Sequence, residues 1–336
     1  MKTIVCQKPN QFEMIETDKP AAQSGEVLVE IKRIGICGTD LHAYKGNQPF
    51  FQYPRVLGHE LSGVVLDPNN DNDLRKGDRV SIIPYVACGK CPACRKGKTN
   101  CCEQLEVIGV HRDGGMSEII SVPAGNIIKT NDISLEEAAL LEPLSIGAHA
   151  VERGQLEEDQ SVLVIGGGPI GLGVIAFAKQ NGNKVIALDI NEERLRFCKT
   201  WGGADETVAI SNNTMENIKE VNHGELPEIV FDATGNKQSM MNAFDYVSHG
   251  GKLIYVGLVK ENITFFDPDF HKKELTLMGS RNARKEDFRR VKQAIASKDL
   301  VLEPYITHKT SFAQLIDDYE SWYDPAENVI KAMVTV

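Results

Sequence analysis

The stretch VLVIGGGPIGLG, residues 162–173, decides the fold of the chain around it. It is an apolar run, then a glycine-rich turn, then the start of an apolar helical segment. Gly166, Gly168 and Gly171 match G-x-G-x-x-G in the strand–turn–helix context that dinucleotide binding requires. Gly166 permits the tight turn, Gly168 lets the backbone approach a pyrophosphate, and Gly171 lets helix and strand pack closely. No G-K-[ST] follows, which disfavours a nucleotide triphosphate loop.

The sequence after this turn alternates short apolar runs with helical segments. The predicted strands are KVIALDI, ETVAI, EIVFDATG, KLIYVGL and ELTLMGS, and NEERLRFCKTWG is a predicted helix. This alternation is typical of a parallel, doubly wound sheet. Asp189 ends the second strand, where a carboxylate binds the ribose hydroxyls of NAD and repels the extra phosphate of NADP. The alternative is a purely structural glycine turn followed by a solvated aspartate.

The remaining sequence has a different pattern, and 336 residues favour two domains. Before about residue 145 the runs are short and β-rich, such as EVLVEIKRIGI and DRVSIIPYV, with helical periodicity starting at SLEEAALLEPLSIGAHAVER. After residue 284 the sequence predicts a helix, KEDFRRVKQAIAS. The segment SFAQLIDDYESWY follows, and then a terminal strand, VIKAMVTV. We therefore expect a β-rich domain beside the doubly wound one.

Composition limits the possible partners. The 37 basic and 47 acidic residues give a net charge of −10, so nucleic acid or an anionic membrane is not an expected partner. The N-terminus lacks the apolar run and cleavage site of a signal peptide, and no apolar stretch is long enough to span a membrane. We expect a cytoplasmic protein in a reducing compartment that acts on a small molecule.

A cysteine-rich stretch, ACGKCPACRKGKTNCCE, occupies residues 87–103. Cys88, Cys91 and Cys94 are spaced three apart, and either Cys101 or Cys102 supplies a fourth thiol. Clustered thiols in a reducing compartment favour metal over disulfides. Four thiolates around zinc leave no open position, so this site would order its lobe and do no chemistry. Unrelated reduced cysteines and an iron–sulfur cluster are the alternatives.

A second metal site is predicted in the β-rich half. The segments GICGTDLH and YPRVLGHELSG contribute Cys37 and His59, which are both good zinc ligands. Glu60 follows His59 directly, and Glu142 lies in LLEPLSIGAHA. A cysteine, a histidine and a carboxylate leave one exchangeable position, as in a catalytic zinc site. Taken singly, the cysteine would more often be a buried thiol and the histidine a loop residue.

These segments occur in the order found in the zinc-dependent medium-chain dehydrogenase/reductase family, which the chain resembles over its whole length. The resemblance implies a GroES-like catalytic domain, residues 1–144 and 284–336, with a zinc lobe near residues 84–104. It implies an NAD-binding Rossmann domain, residues 145–283, inserted between them. It makes Cys102 the fourth lobe ligand and leaves Cys101 spare. Cys37 and His59 would bind the catalytic zinc, together with Glu142 or Glu60, and the choice between the two carboxylates stays open.

The same resemblance assigns roles to further residues. Thr39 would bond the substrate alcohol, and His42 would pass the released proton onward through the nicotinamide ribose, although an exposed loop histidine is the alternative. Lys331 resembles the family's pyrophosphate-binding position. The cofactor-binding residues are predicted to be Gly166, Gly168, Pro169, Ile170, Gly171, Asp189, Arg194, Val256, Arg281 and Lys331. By analogy with the family, we expect a homo-oligomer, either a dimer or a tetramer.

The segments GNQPFFQYPRVLGHE, NCCEQLEVIGVHRDGG and DPDFHKKELTLMGSRNA are similar to the branch that oxidises hexonic acids, the L-galactonate and L-gulonate 5-dehydrogenases. A sugar acid needs a cation for its carboxylate, and arginine is suited to that contact. Arg55, Arg112 and Arg281 are candidates for it, and Asn47 and Gln48 are candidates for binding hydroxyls. For each of these residues a structural or cofactor role is the alternative, and Arg281 is also a candidate contact to NAD. A polyol or L-threonine dehydrogenase is the alternative. A non-catalytic relative would be expected to lose Cys37, His59 or the glycine turn.

Overall fold

The computed structural model describes residues 1–48 and 51–336. The chain divides into two compact units, Met1–Pro143 with Ala283–Val336, and Leu144–Asn282. The expected domain limits, 144/145 and 283/284, differ from these by one residue. Each unit is described below by itself.

The first unit begins as a β-rich fold with short helices. Its elements up to the unit boundary are β1 (Lys2–Lys8), β2 (Gln11–Glu16), β3 (Glu26–Ile36), α1 (Gly38–Tyr44), β4 (Glu60–Asp67), β5 (Arg79–Ile82), β6 (Tyr85–Val86), α2 (Pro92–Arg95), β7 (Glu106–Val107), β8 (Ile119–Pro123), β9 (Ile127–Lys129), α3 (Leu135–Ala139) and the start of α4 (Leu141–Gly154), with 3-10 turns at Thr99–Cys101 and Ala124–Asn126. From Leu144 onward α4 belongs to the second unit. The single helical segment expected over residues 134–153 is two helices that meet at Leu140.

The second unit alternates strands and helices. Its elements are β10 (Ser161–Ile165), α5 (Pro169–Gln180), β11 (Lys184–Asp189), α6 (Glu192–Thr200), β12 (Glu206–Ala209), α7 (Thr214–Val221), β13 (Ile229–Asp232), α8 (Lys237–Asn242), β14 (Lys252–Tyr255), α9 (Asp267–Lys272) and β15 (Thr276–Gly279). All pairs in this sheet are parallel, and the strand order is β12-β11-β10-β13-β14-β15. The order reverses between β10 and β13, which is where ligands bind in such sheets.

The chain then returns to the first unit. It adds α10 (Lys285–Ala296), β16 (His308–Ser311), α11 (Leu315–Asp318) and β17 (Ala332–Thr335), with 3-10 turns at Glu303–Tyr305, Ser321–Tyr323 and Pro325–Glu327. Strand β17 pairs antiparallel with β3, so the C-terminal strand joins the sheet built by the N-terminal segment. The resulting order is β16-β17-β3-β4-β5-β9, and β8 also pairs with β3.

The pattern of buried residues along the strands differs between the two units. In β3 the residues Val27, Val29 and Ile31 are buried and alternate with half-buried residues, as in a sheet with one face on the core. In β10 the run from Val162 to Ile165 is buried throughout, as in a parallel sheet covered on both faces. The mixed α/β fold class predicted from the sequence is what the structure shows.

Candidate metal centres and dinucleotide site

The cysteine lobe brings four thiols together. The sulfur atoms of Cys88, Cys91, Cys94 and Cys102 all lie within 4.8 Å of one another. Short turns create this grouping: Cys91 precedes helix α2, and Cys102 follows the 3-10 turn Thr99–Cys101. Cys101 is exposed and stands outside the group. The structure thus separates two adjacent cysteines that spacing alone left as alternatives.

The protein backbone prepares these sulfurs for a metal. The N–H groups of Cys88 and Gln104 donate to Sγ of Cys102 at 3.2 and 3.3 Å. Backbone N–H groups of Cys94 and Glu103 lower the pKa of the Cys91 thiol to about 6. Burial and the neighbouring thiols of Cys91 and Cys102 instead raise the pKa of Cys94 to about 12. Thiolates are the form that binds metal, and a group of four sulfurs fits a closed tetrahedral zinc site.

A second group lies where β3 ends and β4 begins. Cys37 follows the last residue of β3. His59 immediately precedes β4, and Glu60 is the first residue of β4, which pairs with β3. One ligand atom of each residue lies within 4.8 Å of the other two. The histidine and the glutamate are buried, and Cys37 is partly exposed. A thiolate, an imidazole and a carboxylate form a donor set that fits zinc with an open position.

Asp40 supports this group and was missed in the sequence. It is 1% exposed, and its carboxylate accepts hydrogen bonds from the N–H groups of Cys37 at 3.0 Å and Gly58 at 3.1 Å. Its Oδ1 also lies 3.4 Å from Nδ1 of His59. A carboxylate behind a metal-binding imidazole fixes the ring and its tautomer. The signal in the sequence was an aspartate three residues after Cys37, in the first turn of α1.

The pKa of His59 depends on its neighbour Asp40. Burial opposes protonation, but the nearby negative charges of Asp40 and Cys37 hold the pKa of His59 well above its usual value. A metal at this position would therefore displace a proton from the imidazole.

Glu60 has a second partner, Lys331, immediately before β17. The Lys331 ammonium donates to Oε1 and Oε2 of Glu60 at 2.5 and 2.7 Å, and to the carbonyl of Ile36 at 3.1 Å. Both side chains are buried, at 1% and 0% exposure. An ammonium has three donors, and all three are used here. The pyrophosphate contact predicted for Lys331 stays a prediction, and in this structure the lysine is the partner of Glu60.

Glu142, in the first turn of α4, is the other candidate carboxylate. It is 2% exposed, and the hydroxyl of Tyr85 donates to its Oε1. Burial raises the pKa of Glu142 to about 7, while the nearby charges of His59 and Lys331 act in the opposite direction. It lies outside the 4.8 Å group formed by Cys37, His59 and Glu60. The charges of His59 and Glu60 nevertheless affect the pKa of Glu142, so this carboxyl group lies in the same buried region.

The predicted proton-transfer residues lie on α1, directly after Cys37. Thr39 is partly exposed in the first turn, and His42 is exposed one turn later. Residues three apart on a helix lie on neighbouring positions of one face. The hydroxyl follows Cys37 by two residues in the chain and the imidazole is in contact with solvent, and the roles of both side chains stay predictions.

The glycine-rich turn has the geometry that the sequence predicted. Gly166 has a φ of +100°, which favours glycine. A Cβ on Gly171 would lie 1.8 Å from the carbonyl oxygen of Gly166, so the helix meets the turn too closely for any side chain. A Cβ on Gly168 would meet no protein atom within 4 Å. Space beside Gly168, at the N-terminus of α5, is what a pyrophosphate needs.

Asp189, at the end of β11, is held against this turn. Its Oδ2 accepts from the N–H of Gly167 at 2.6 Å, and its Oδ1 accepts from the N–H of Asn191 at 2.8 Å. The side chain is only 6% exposed. The carboxylate is thus fixed beside the turn, where a ribose would lie if a dinucleotide bound.

The other predicted cofactor residues follow strands of the parallel sheet or lie in the first turn of the helices after them. Pro169 and Ile170 open α5, Arg194 lies in the first turn of α6, and Val256 follows β14. Arg281 is exposed, after β15. The sequence analysis missed Asp232, a buried residue at the end of β13 that is 0% exposed. Its carboxylate accepts hydrogen bonds from the N–H and the hydroxyl of Thr234 at 2.9 and 2.7 Å.

The predicted substrate residues have contacts within the protein. The guanidinium of Arg55 pairs with Asp113 at 3.2 Å. That of Arg112 lies 3.8 Å from Glu26 and 3.9 Å from Glu106. Both arginines therefore have acidic neighbours within the protein, and their contact with a substrate carboxylate stays a prediction. Asn47 is exposed, after α1, and its N–H donates to the carbonyl of His42 at 2.8 Å.

None of the helices in the described part of the chain combines the length and apolar character needed to cross a membrane.

Comparison with known proteins identifies the family. Residues 23–132 match the family model of the alcohol dehydrogenase GroES-like domain, and residues 169–297 match that of the zinc-binding dehydrogenases. The chain is 43% identical over 336 residues to the L-galactonate-5-dehydrogenase of Escherichia coli K12, covering 100% of this chain and 99% of that relative. It is 30% identical to the L-idonate 5-dehydrogenase of Vitis vinifera, covering 94% of this chain and 89% of that relative.

A solved structure agrees with these matches. An alcohol dehydrogenase from Escherichia coli CFT073, complexed with the cofactor NADH, has a TM-score of 0.94 at 34% identity and covers 100% of this chain and 99% of that chain. The fold and the metal group therefore define an oxidoreductase of the alcohol dehydrogenase class. The chain belongs to the zinc-dependent medium-chain dehydrogenases. The predicted family, the GroES-like and Rossmann architecture and the use of zinc are confirmed.

Proposed function

We propose that this protein is an NAD-dependent dehydrogenase that oxidises a secondary hydroxyl of a hexonate, L-galactonate or L-gulonate at the 5-position, to a ketone. The observation that carries the substrate class is the 43% identity, over the full length of both chains, to a relative that acts on L-galactonate. The L-idonate 5-dehydrogenase relative is also named for a hexonate and the 5-position.

Cys37 and His59 would hold the catalytic zinc, with Glu142 or Glu60 as the third protein ligand. Zinc, when bound, is a Lewis acid that lowers the pKa of a hydroxyl, as it lowers that of water to about 7. Asp40 contributes by fixing the orientation of His59. Thr39 would accept a hydrogen bond from the substrate hydroxyl, and exposed His42 would deliver the released proton to solvent.

The second unit would bind NAD, which accepts the hydride. Support comes from the glycine turn, from the buried carboxylate of Asp189, and from NADH in the solved relative. An acidic residue at the end of the second strand favours NAD over NADP because it repels a 2′-phosphate. Arg194, Val256 and Arg281 are proposed as further contacts.

The lobe would carry the second zinc, held by Cys88, Cys91, Cys94 and Cys102. Four sulfurs within 4.8 Å of one another leave no position for a substrate. This zinc would therefore order residues 88–102 and take no part in the reaction.

The test is NADH formation by purified protein on L-galactonate and L-gulonate, against galactitol, sorbitol and L-threonine. Cys37→Ser, which removes a ligand of the catalytic zinc, should abolish turnover on every substrate. Cys101→Ser, which changes an exposed thiol outside both metal groups, is the matched control and should retain activity. Turnover confined to the polyols or to threonine would replace the hexonate assignment with the corresponding alternative. Full activity of Cys37→Ser would refute the metal assignment.

A further inference from the structure

Helix α1, which carries Thr39 and His42, is too short to hold its position by itself. It has seven residues, Gly38–Tyr44. Isolated helices shorter than about 12 residues are marginal in water, so contacts with neighbouring segments decide where such a helix lies. At the C-terminal end of α1, two of these contacts come from tyrosines that lie in segments far apart in the chain.

The hydroxyls of these two tyrosines bind carbonyl groups in the last turn of α1. Tyr323 donates to the carbonyl of Leu41 at 2.5 Å, and Tyr53 donates to the carbonyl of Ala43. Each carbonyl also accepts a backbone N–H from just after the helix, at 3.1 and 3.0 Å, so the hydroxyls occupy the second lone pairs. The end of the helix is thus tied to two other parts of the first unit.

These bonds fix the backbone on both sides of His42. The carbonyl of Leu41 belongs to the same planar peptide unit as the N–H of His42, so the Tyr323 hydroxyl restrains this unit directly. The carbonyl of His42 accepts the N–H of Asn47 at 2.8 Å, and the next carbonyl along the helix accepts the Tyr53 hydroxyl. The imidazole itself is exposed, so its attachment point is fixed while the ring keeps access to solvent.

The segment that supplies Tyr323 packs on the same helix, and these contacts hold its ring independently of the hydroxyl. Tyr319 is buried, and its ring centre lies 5.2 Å from that of Tyr44. The hydroxyl of Tyr44 donates to Glu320 at 3.0 Å. The ammonium of Lys45 lies 4.7 Å from the centre of the Tyr323 ring, within the range of a cation–π contact. Phenylalanine at position 323 would therefore fill the same space and lose only the hydrogen bond to α1.

We infer that Tyr323 and Tyr53 are positioning residues for His42: their hydroxyls fix the end of α1 and thereby the point from which the imidazole reaches the released proton. The inference rests on the proposed function, in which His42 delivers that proton to solvent. It gives the C-terminal segment a role in the reaction beyond completing the sheet through β17. Neither tyrosine needs to touch substrate or cofactor for this effect.

The test compares Tyr323→Phe, Tyr53→Phe and His42→Ala with the parent, together with the two double variants that combine each tyrosine change with His42→Ala. The readout is the rate of NADH formation in the first turnover at neutral pH, on the substrate that the zinc-loaded parent oxidises fastest. The first turnover is used because product release limits kcat in many enzymes. Affinity for NADH, zinc content and melting temperature are measured on the same preparations.

Each tyrosine variant should form NADH about fivefold more slowly, the factor that corresponds to one lost hydrogen bond. Its affinity for NADH and its zinc content should stay parental. In the His42→Ala background the same tyrosine changes should have no further effect, since no imidazole remains to be positioned. A merely structural role would slow the reaction equally in both backgrounds. Tyr246→Phe, which removes the hydroxyl of a half-buried tyrosine in the second unit, is the matched control and should keep the rate of its background.

Parental rates in Tyr323→Phe and Tyr53→Phe would overturn the inference, as would equal slowing with and without His42, or a parental rate in His42→Ala. If one tyrosine variant does not fold, the other carries the same comparison. Turnover of polyols but not of hexonates would count against the proposed function alone, because the comparison is then made on the polyol. A parent with no turnover on any tested substrate would overturn both.

Discussion

Replacing Gly171 with alanine gives opposite expectations from helix propensity and from packing. Gly171 is the third residue of α5, where alanine is favoured over glycine by about 1 kcal/mol in a helix interior. The added Cβ, however, would lie 1.8 Å from the carbonyl oxygen of Gly166, about 1.6 Å short of the 3.4 Å at which ordinary contact begins. Both partners are backbone, so no side-chain rotation can relieve the overlap.

We expect the packing effect to prevail in Gly171→Ala. Overpacking of this kind costs about 1–3 kcal/mol, or roughly 3–10 °C in the melting temperature of a unit of this size. The assay is thermal unfolding of the protein without cofactor, followed by a titration with NADH. Gly168→Ala is the matched comparison: it should unfold near the parental temperature but bind NADH about tenfold more weakly, because its Cβ would occupy the space beside the turn. A Gly171→Ala protein more stable than the parent would refute the packing argument.

Three further predictions concern single side chains. Cys94→Ser should lose one equivalent of zinc by metal analysis and melt at a lower temperature. Cys101→Ser should keep both equivalents of zinc, and zinc loss from this variant would contradict the choice of Cys102 as the fourth ligand. Asp189→Asn should bind NADH more weakly and lose its discrimination against NADPH in a direct titration, and a parental protein that prefers NADPH would exclude the role given to this carboxylate. Asp40→Asn should weaken retention of the catalytic zinc about 10- to 100-fold in chelator competition, and parental retention would show that His59 needs no such support.

The sequence predicted the parts of the site that depend on spacing along the chain. The glycine turn and Asp189 are local to one strand–turn–helix unit, so their arrangement follows from the motif. The grouping of Cys88, Cys91 and Cys94 likewise follows from their spacing.

Partners that meet through strand pairing were not predictable in the same way. Lys331 and Glu60 are 271 residues apart in the chain, and their contact depends on the register of β17 and β4 on either side of β3. Arg55 and Arg112 were selected for their charge, and no pattern in the sequence indicates that Asp113, Glu26 and Glu106 compensate that charge. Helices α7, α8 and α9 were also not predicted individually, because each is short and lies between two stronger strand signals.

The central claim is that the protein oxidises a hexonate in preference to the corresponding neutral polyol. L-Galactonate and galactitol are a matched pair, since they differ only in a carboxylate in place of a hydroxymethyl group. The direct measurement is kcat/KM for both with NAD on the same zinc-loaded preparation. A site that pairs with the carboxylate leaves its own polar groups unsatisfied when the polyol binds, which typically costs a few kcal/mol or about 100-fold in efficiency. We predict that L-galactonate exceeds galactitol by at least about that factor. Equal efficiencies on the two substrates would contradict the hexonate assignment and favour a polyol dehydrogenase.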